Sequence, residues 1–303
     1  MVDYDLCVAW NWEYDADFIR LLLEACSSYT LSVLQVEPPS LEVILHLLIS
    51  QQMRFTTFID RASDEDHRFF PLVEWASAFA KHYVNPHQKA VCAWDKAAMH
   101  YRLIAAGIHT PYTIILPPYT IQPDIAPVDL VPLGTQFTIK PSHGGGSQGV
   151  RMGASSFSQV VTARKEYPAD TYLLQATIIP RNLAGHKAWF RVLYCYQGTY
   201  LCWWDPTSHH YAVVTNEELK KFHLGALDQI TRTIATICEL DLFSTEIALT
   251  SEGVFVVVDY ANDQIDLRLQ SKCVDGVPDI VIRAIANQLA RQAALFRECP
   301  TGS

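Results

Sequence analysis

The sequence predicts an α/β region that passes into α+β units, and three observations carry that expectation. Through the first third, strand-like apolar runs alternate with helix-like runs, the pattern of a parallel sheet covered by helices on both faces. Beyond it, strand-like runs come in pairs around short turns, at Gln197-Gly198 and at Ser251-Glu252-Gly253, with an amphipathic run between the pairs. Between the two regimes, a β-type run from Phe137 delivers Lys140, Pro141 stops it, and Gly144, Gly145, Gly146 and Ser147 follow with almost no side-chain bulk.

Taken in order, Tyr4–Trp10 reads as a buried strand, Ala16–Ser28 as a helix, Leu31–Val36 as a strand, Leu41–Gln52 as a helix and Arg54–Ile59 as a third strand. Asp15, Asp17 and the Asp64-Glu65-Asp66 run lie at strand ends or helix starts, where helix capping and solvated charge compete with a ligand role. Asn85-Pro86 marks a turn, Trp94–Gly107 a helix closed by glycine, and Ile108–Leu116 a strand. Pro117–Pro132 carries the chain without regular structure to the glycine loop. Tyr172–Ile179 is a strand ending at Pro180, Trp189–Asp205 a pair of strands, and Glu217–Leu240 one amphipathic helix. Phe243–Leu249 and Val254–Asp263 pair as strands, and a helix from Pro278 to Phe296 follows.

The totals exclude several classes. With 303 residues, half of them hydrophobic and 18% charged, the chain can bury a large core and has little room for disordered tails. A net charge of −9 argues against non-specific nucleic-acid binding. The most apolar run, Leu41–Ile49, carries Glu42 and His46 and is too short for a membrane span. No basic, apolar and cleavage-site pattern opens the chain, so the expected location is cytoplasmic. Eight cysteines (Cys7, Cys26, Cys92, Cys195, Cys202, Cys238, Cys273 and Cys299) lack Cys-x-x-Cys spacing and signal neither zinc nor disulfides. The His209-His210 pair likewise has no metal spacing.

The glycine loop can bring backbone N–H groups against a phosphate. Gly144, Gly146 and Gly149 satisfy G-x-G-x-x-G, but no helix begins inside them, so the loop reads as a hairpin lid rather than a dinucleotide turn. Lys140 precedes the glycines, which excludes a Walker A loop. Lys96 opposes the dipole of the helix start it occupies, so an anion or solvent must explain it. Arg191 interrupts an apolar strand and needs a carboxylate or anion; Asp205 is the structural alternative. Glu246, Asp259 and Asn262 place oxygen donors on neighbouring strands, a set that suits Mg²⁺, while turn chemistry alone would account for Asn262-Asp263. A strand ending at Gln175–Ile178 can offer an adenine edge one donor and one acceptor. Arg151, Asp205 and Arg268 are candidate substrate contacts.

In this order and spacing the pieces resemble the ATP-grasp superfamily, of the glutathione synthetase and D-alanyl-D-alanine ligase type, across nearly the whole chain. The matching residues are Asp95-Lys96 before a helix, the Gly107 to Pro111 turn, Lys140-Pro141 with the glycine loop, Gln175, Arg191, Glu246, and Asp259 with Asn262. The resemblance implies a Rossmann-like domain over 1–88 and two α+β subdomains, over 89–178 and 179–303, that clamp ATP. It implies that Lys96 and Lys140 hold the phosphates, that Gly144, Gly145, Gly146 and Ser147 form the lid, and that Gln175, Ala176 and Ile178 face the adenine. It further implies Mg²⁺ on Glu246, Asp259 and Asn262, with Arg191 and Lys140 catalytic. The sequence departs from the family at Asp259-Tyr260-Ala261-Asn262, where Glu-x-Asn is usual, and at Phe243-Ser244-Thr245, where an arginine is common.

The expected activity is therefore ATP- and Mg²⁺-dependent ligation of a carboxylate, through an acyl-phosphate, to an amine or thiol. The substrate would be a small molecule or peptide-like, with no nucleic-acid or membrane partner and with a homodimer permitted. A small-molecule kinase of the same fold, or a nucleotide-binding protein with little or no turnover, are the rival expectations.

Overall fold

A computed structural model describes residues 1–298; Cys299 lies outside the described residues. The chain opens with β1 (Val2–Trp10), α1 (Ala16–Ser28), β2 (Val33–Val36), α2 (Leu41–Ile49), β3 (Met53–Arg61), α3 (Phe70–Phe79) and β4 (His82–Val84). The four strands form one parallel sheet in the order β2-β1-β3-β4. Leu6 to Ala9 are all fully buried because the sheet is covered twice. Leu6 and Val8 pack with α1 on one face, Cys7 and Ala9 with α2 and α3 on the other, which is why this strand reads as a continuous apolar run.

α4 (His87–Trp94) and α5 (Lys96–Ala105) follow, then β5 (Thr113–Leu116), β6 (Phe137–Pro141), β7 (Arg151–Ala154), α6 (Phe157–Ala163) and β8 (Tyr172–Ala176). Where the sequence predicts one helix from Trp94, the structure starts a second one, because Asp95 caps α5 by accepting from Ala97 and Ala98 N–H at 3.0 and 3.1 Å. The strands make an antiparallel sheet, β5-β8-β6-β7.

A two-stranded ribbon, β9 (Asn182–Leu183) and β10 (His186–Lys187), leads into β11 (Trp189–Cys195), β12 (Gly198–Asp205) and β13 (His210–Val213). α7 (Asn216–Lys221), α8 (Ala226–Cys238), β14 (Leu242–Leu249) and β15 (Phe255–Asn262) come next, and the described chain closes with α9 (Asp279–Glu298). The five longer strands form a second antiparallel sheet, β13-β12-β11-β14-β15. The single helix expected over Glu217–Leu240 is two: His223 takes a left-handed φ of 54° after α7, and the turn drops Leu224 into the core. Amphipathic spacing alone does not reveal such a break.

The two antiparallel sheets share a core in which Leu173, Phe190, Ile247, Val257 and Tyr260 pack with Leu103 of α5 and Ile234 of α8. α9 crosses back to the first unit, where Ile282, Ile285 and Leu289 join Phe18 and Leu22 of α1. The C-terminal helix thus covers one face of the N-terminal sheet. Asn85, at a left-handed φ of 55°, fastens the same junction. Its Oδ1 accepts from Asp241 and Leu242 N–H at 2.8 and 2.9 Å, and its Nδ2 donates to the Leu242 carbonyl and to Asp263 Oδ1.

Two predictions follow from this junction. Asn85→Ala strands several buried donors and acceptors, so chemical denaturation should show a loss of about 2–4 kcal/mol. Burial pushes the Asp241 carboxyl up to about 6, with Lys89 opposing. Because the folded value lies above the unfolded one, ionisation of Asp241 removes stability as pH rises from about 4 through about 6. Asp241→Asn should therefore raise Tm by about 2–4 °C at pH 7.5 and lose most of that gain by about pH 4, as measured by calorimetry.

Candidate nucleotide and metal site

The second antiparallel sheet aligns charge across three neighbouring strands. Arg191 on β11 stands opposite Glu246 on β14, and Glu246 stands opposite Asp259 on β15. Arg191 donates from Nη1 to Glu246 Oε1 at 3.3 Å and from Nε to Ser244 Oγ at 3.2 Å, and its guanidinium lies 5.1 Å over the Trp204 ring. Asp205, the alternative partner, is elsewhere: it turns β12 into β13 by accepting from Thr207 N–H and Ser208 Oγ. Trp189 donates to the other oxygen of Glu246 at 3.0 Å.

Asp259 and Asn262 are three residues apart, and a regular strand would point them to opposite faces. The pairing of β14 with β15 is irregular on both sides of Glu246, so that Ser244 registers with Asn262 while Glu246 registers with Asp259. The bulge brings the two polar side chains together, with Asn262 Nδ2 donating to Asp259 Oδ2 at 2.7 Å. One extra residue in β15 thus lets an aspartate and an asparagine three positions apart share a face. Among the described residues no three or more His, Cys, Asp or Glu side chains cluster as a complete metal cage. Two carboxylates and a carboxamide nevertheless fit Mg²⁺, which takes few protein oxygens and fills its octahedron with water and phosphate.

Lys140, on β6 of the facing sheet, reaches this row. Its Nζ is 3.4 Å from the Val258 carbonyl and 5.3 Å from the Tyr260 ring centre. Burial pushes its ammonium down to about 8, Asp259 and Glu246 oppose that, and Lys96 adds to it. Asp259 is held below the usual carboxylate range although burial opposes it, because Lys140 and Lys96 outweigh that cost. Burial raises Glu246, with Arg191 opposing. Sheet register therefore puts two cations and two carboxylates in one partly dehydrated space.

Lys96 begins α5 and turns onto the root of the glycine loop, its Nζ donating to the Gly144 carbonyl at 2.6 Å and lying 3.4 Å from that of Ser142. Ser142, fully buried, accepts from Ala97 N–H at 2.9 Å and donates to Asp95, so loop and helix start are one unit. The loop joins β6 to β7 as a hairpin, as expected, and Gly144, Gly146, Gly149 and Ser147 all have positive φ. Gly145 and the loop tip are exposed.

Gln175 is buried between β5 and β6, its Nε2 donating to Thr113 Oγ1 at 3.1 Å and to Tyr260 Oη at 2.7 Å. The Ala176 N–H is spent on the Tyr112 carbonyl, which leaves Thr177 and Ile178, just past the strand, as the irregular backbone of that segment. Arg151 pairs with Glu166, and Arg268 with Asp266 and Asp275. Neither arginine meets the Glu246–Asp259 row through these bonds.

A cleft of about 650 Å³ lies beside the loop, lined by Asn11, Trp12, Asp64, Glu65, Gly146 and Asp266 among others; the sequence pointed to Asp15 and Asp64-Glu65 at strand ends but not to their meeting with the segment near 266. Arg61 and Asp15 form part of its wall as a buried bidentate pair at 2.7 and 2.8 Å, and Arg61 also donates to Gln264 Oε1 and the Ile265 carbonyl. No local signal joins residues near 12, 64 and 266; only the parallel sheet and the segment after β15 bring them together.

No protein-family model and no curated protein matches the chain. Solved structures do. The D-alanine–D-alanine ligase of Bacillus anthracis, complexed with ATP, is 11% identical over 99% of this chain and 100% of that one, with a TM-score of 0.65. A RimK-domain ATP-grasp protein of Sphaerobacter thermophilus is 19% identical over 94% and 98%, with a TM-score of 0.62. The macrocyclase MdnC of Microcystis aeruginosa, bound to its precursor peptide MdnA, is 10% identical over 95% and 99%, with a TM-score of 0.63. A parallel N-terminal sheet followed by two antiparallel sheets facing one another across a lysine and a carboxylate row defines a clamp-like architecture. The chain has the ATP-grasp fold.

The glycines of the loop are not equivalent. At Gly149, φ is 69° and an added Cβ would sit 2.6 Å from the Tyr167 ring, whereas Gly145 has neither a positive φ nor a neighbour within 4 Å. Gly149→Ala should cost about 1–2 kcal/mol in urea denaturation, and Gly145→Ala under about 0.5 kcal/mol.

Proposed function

We propose that the chain is an ATP- and Mg²⁺-dependent ligase that activates a carboxylate as an acyl-phosphate and passes it to an amine. The observation that carries this reading is the meeting of Lys140, Arg191, Glu246, Asp259 and Asn262 between two sheets, under a glycine loop whose root Lys96 holds. Mg²⁺, when bound, supplies charge neutralisation at the nucleotide phosphates, and Glu246, Asp259 and Asn262 are the residues that would hold it. Phosphate oxygens would take over the loop-facing ammonium of Lys96 and offset the burial that pushes the Lys140 ammonium down. Thr177 and Ile178 would face the base.

In the first step a substrate carboxylate oxygen attacks the γ-phosphorus, the bond to the bridging oxygen breaks, and ADP leaves. In the second, an amine nitrogen attacks the acyl carbon, inorganic phosphate leaves, and the nitrogen gives up a proton. Arg191 would sit against the transferring phosphoryl oxygens, where charge is greatest. The scheme calls for no nucleophile from the protein, and burial pushes the Cys202 thiol up to about 12 and raises that of Cys195 as well. The cleft would receive the acceptor. Arg61 there is already neutralised by Asp15, and Asp64 and Glu65 stand exposed, a balance that favours an amine over a thiol.

The test is ADP and phosphate release across a panel of carboxylic acids, each with and without amines. Release that requires both substrates is expected, with kcat falling by about 10²–10³ in Asp259→Asn. A stable phosphorylated product formed without any amine would instead identify a kinase of this fold, and no release with any pair would overturn the reading.

A further inference from the structure

The extra residue that brings Asp259 and Asn262 to one face also turns Tyr260 inward, where it is 1% exposed. Its hydroxyl accepts from Gln175 Nε2 at 2.7 Å and meets His100 Nδ1 at 2.7 Å. An amide nitrogen can only donate, so the phenol keeps its own proton for the imidazole nitrogen. The face of the same ring lies 5.3 Å from Lys140 Nζ. One side chain, inserted between two candidate metal ligands, therefore touches β6 through Lys140, β8 through Gln175, and α5 through His100, one turn beyond Lys96.

We propose that Tyr260 is a positioning residue that locks the base-facing strand end and the phosphate-facing lysine to the metal-bearing strand, so that nucleotide and metal are registered by a single phenol. The inference rests on the nucleotide reading above. The two contacts are chemically separable. The hydroxyl holds Gln175, whose amide would otherwise be buried with one fewer partner, and the ring face holds the Lys140 ammonium by a cation–π contact. Removing the hydroxyl alone should loosen the segment after Gln175 and leave Lys140 in place; removing the ring should loosen both.

Calorimetric titration of the full chain with a non-hydrolysable ATP analogue and, separately, with inorganic tripolyphosphate, both in Mg²⁺, distinguishes these contacts. The wild type is expected to bind both. Tyr260→Phe, which loses the hydroxyl's bonds to Gln175 and His100, should weaken the ATP analogue about three- to tenfold through release of Gln175, while tripolyphosphate binds as to the wild type. Tyr260→Leu should weaken both ligands. Equal losses for both ligands in Tyr260→Phe, or no loss for either, would overturn the proposal, and the Phe variant decides the matter even if the Leu variant fails to fold. A wild type that binds neither ligand would instead bring down the nucleotide reading itself, and this inference with it.

Discussion

Burying charge is the constraint on which the rest of this structure depends. Lys140, Arg191, Glu246 and Asp259 lie in the space between two sheets, and each is expensive there unless the others offset it. The four stand on four different strands, β6, β11, β14 and β15. Their balance is therefore a statement about sheet register. A slip of one residue in β14 would turn Glu246 to the opposite face and leave Arg191 without its carboxylate.

Much of the remaining architecture holds that register. Trp189 and Ser244 add a further hydrogen bond each to Glu246 and Arg191. The bulge in β15 gives Asn262 back to Asp259 and directs Tyr260 into the core shared by both sheets. At the other end, Asn85 ties the entry of β14 to Asp263 just past β15, while α9 and the bonds from Arg61 to Gln264 and Ile265 fasten the N-terminal sheet to the same region. Rigid support surrounds a loop that has little: the glycine hairpin is anchored at its root by Ser142 and Lys96 and exposed at its tip. The proposed lid over a nucleotide would use that contrast, a fixed hinge and a free edge.

The sequence made legible whatever depends on local pattern. The alternation of β1, α1 and β3, the Gln197-Gly198 turn and the hairpin character of the glycine loop could all be read from period and turn chemistry. Arg191 announced that it needed a partner because a cation in an apolar strand always does, but choosing Glu246 over Asp205 required the register of β11 with β14. Spacing alone runs Leu219 and Phe222 on into Leu227 and Ile230, although α7 buries no residue and Gly225 stands before α8, so the break is carried by Gly225 and not by the apolar period. The spacing of Asp259 and Asn262 carries the mark of a bulge only once both are known to share a face, since residues three positions apart cannot do so on a regular strand. The cleft was legible only in part: Asp15 and Asp64-Glu65 stood out at strand ends, but their meeting with Gln264 to Asp266 joins segments some fifty and two hundred residues apart in the chain.

The most direct test of the central claim, that the charge row is a nucleotide and Mg²⁺ site, is thermal unfolding with a non-hydrolysable ATP analogue and Mg²⁺, added singly and together. The expected result is a rise in Tm that needs both ligands and disappears in Lys140→Ala, since a ligand that binds only the folded state stabilises it by mass action. An unchanged Tm with both ligands present, or an equal rise in Lys140→Ala, would mean that the buried charges serve the fold alone.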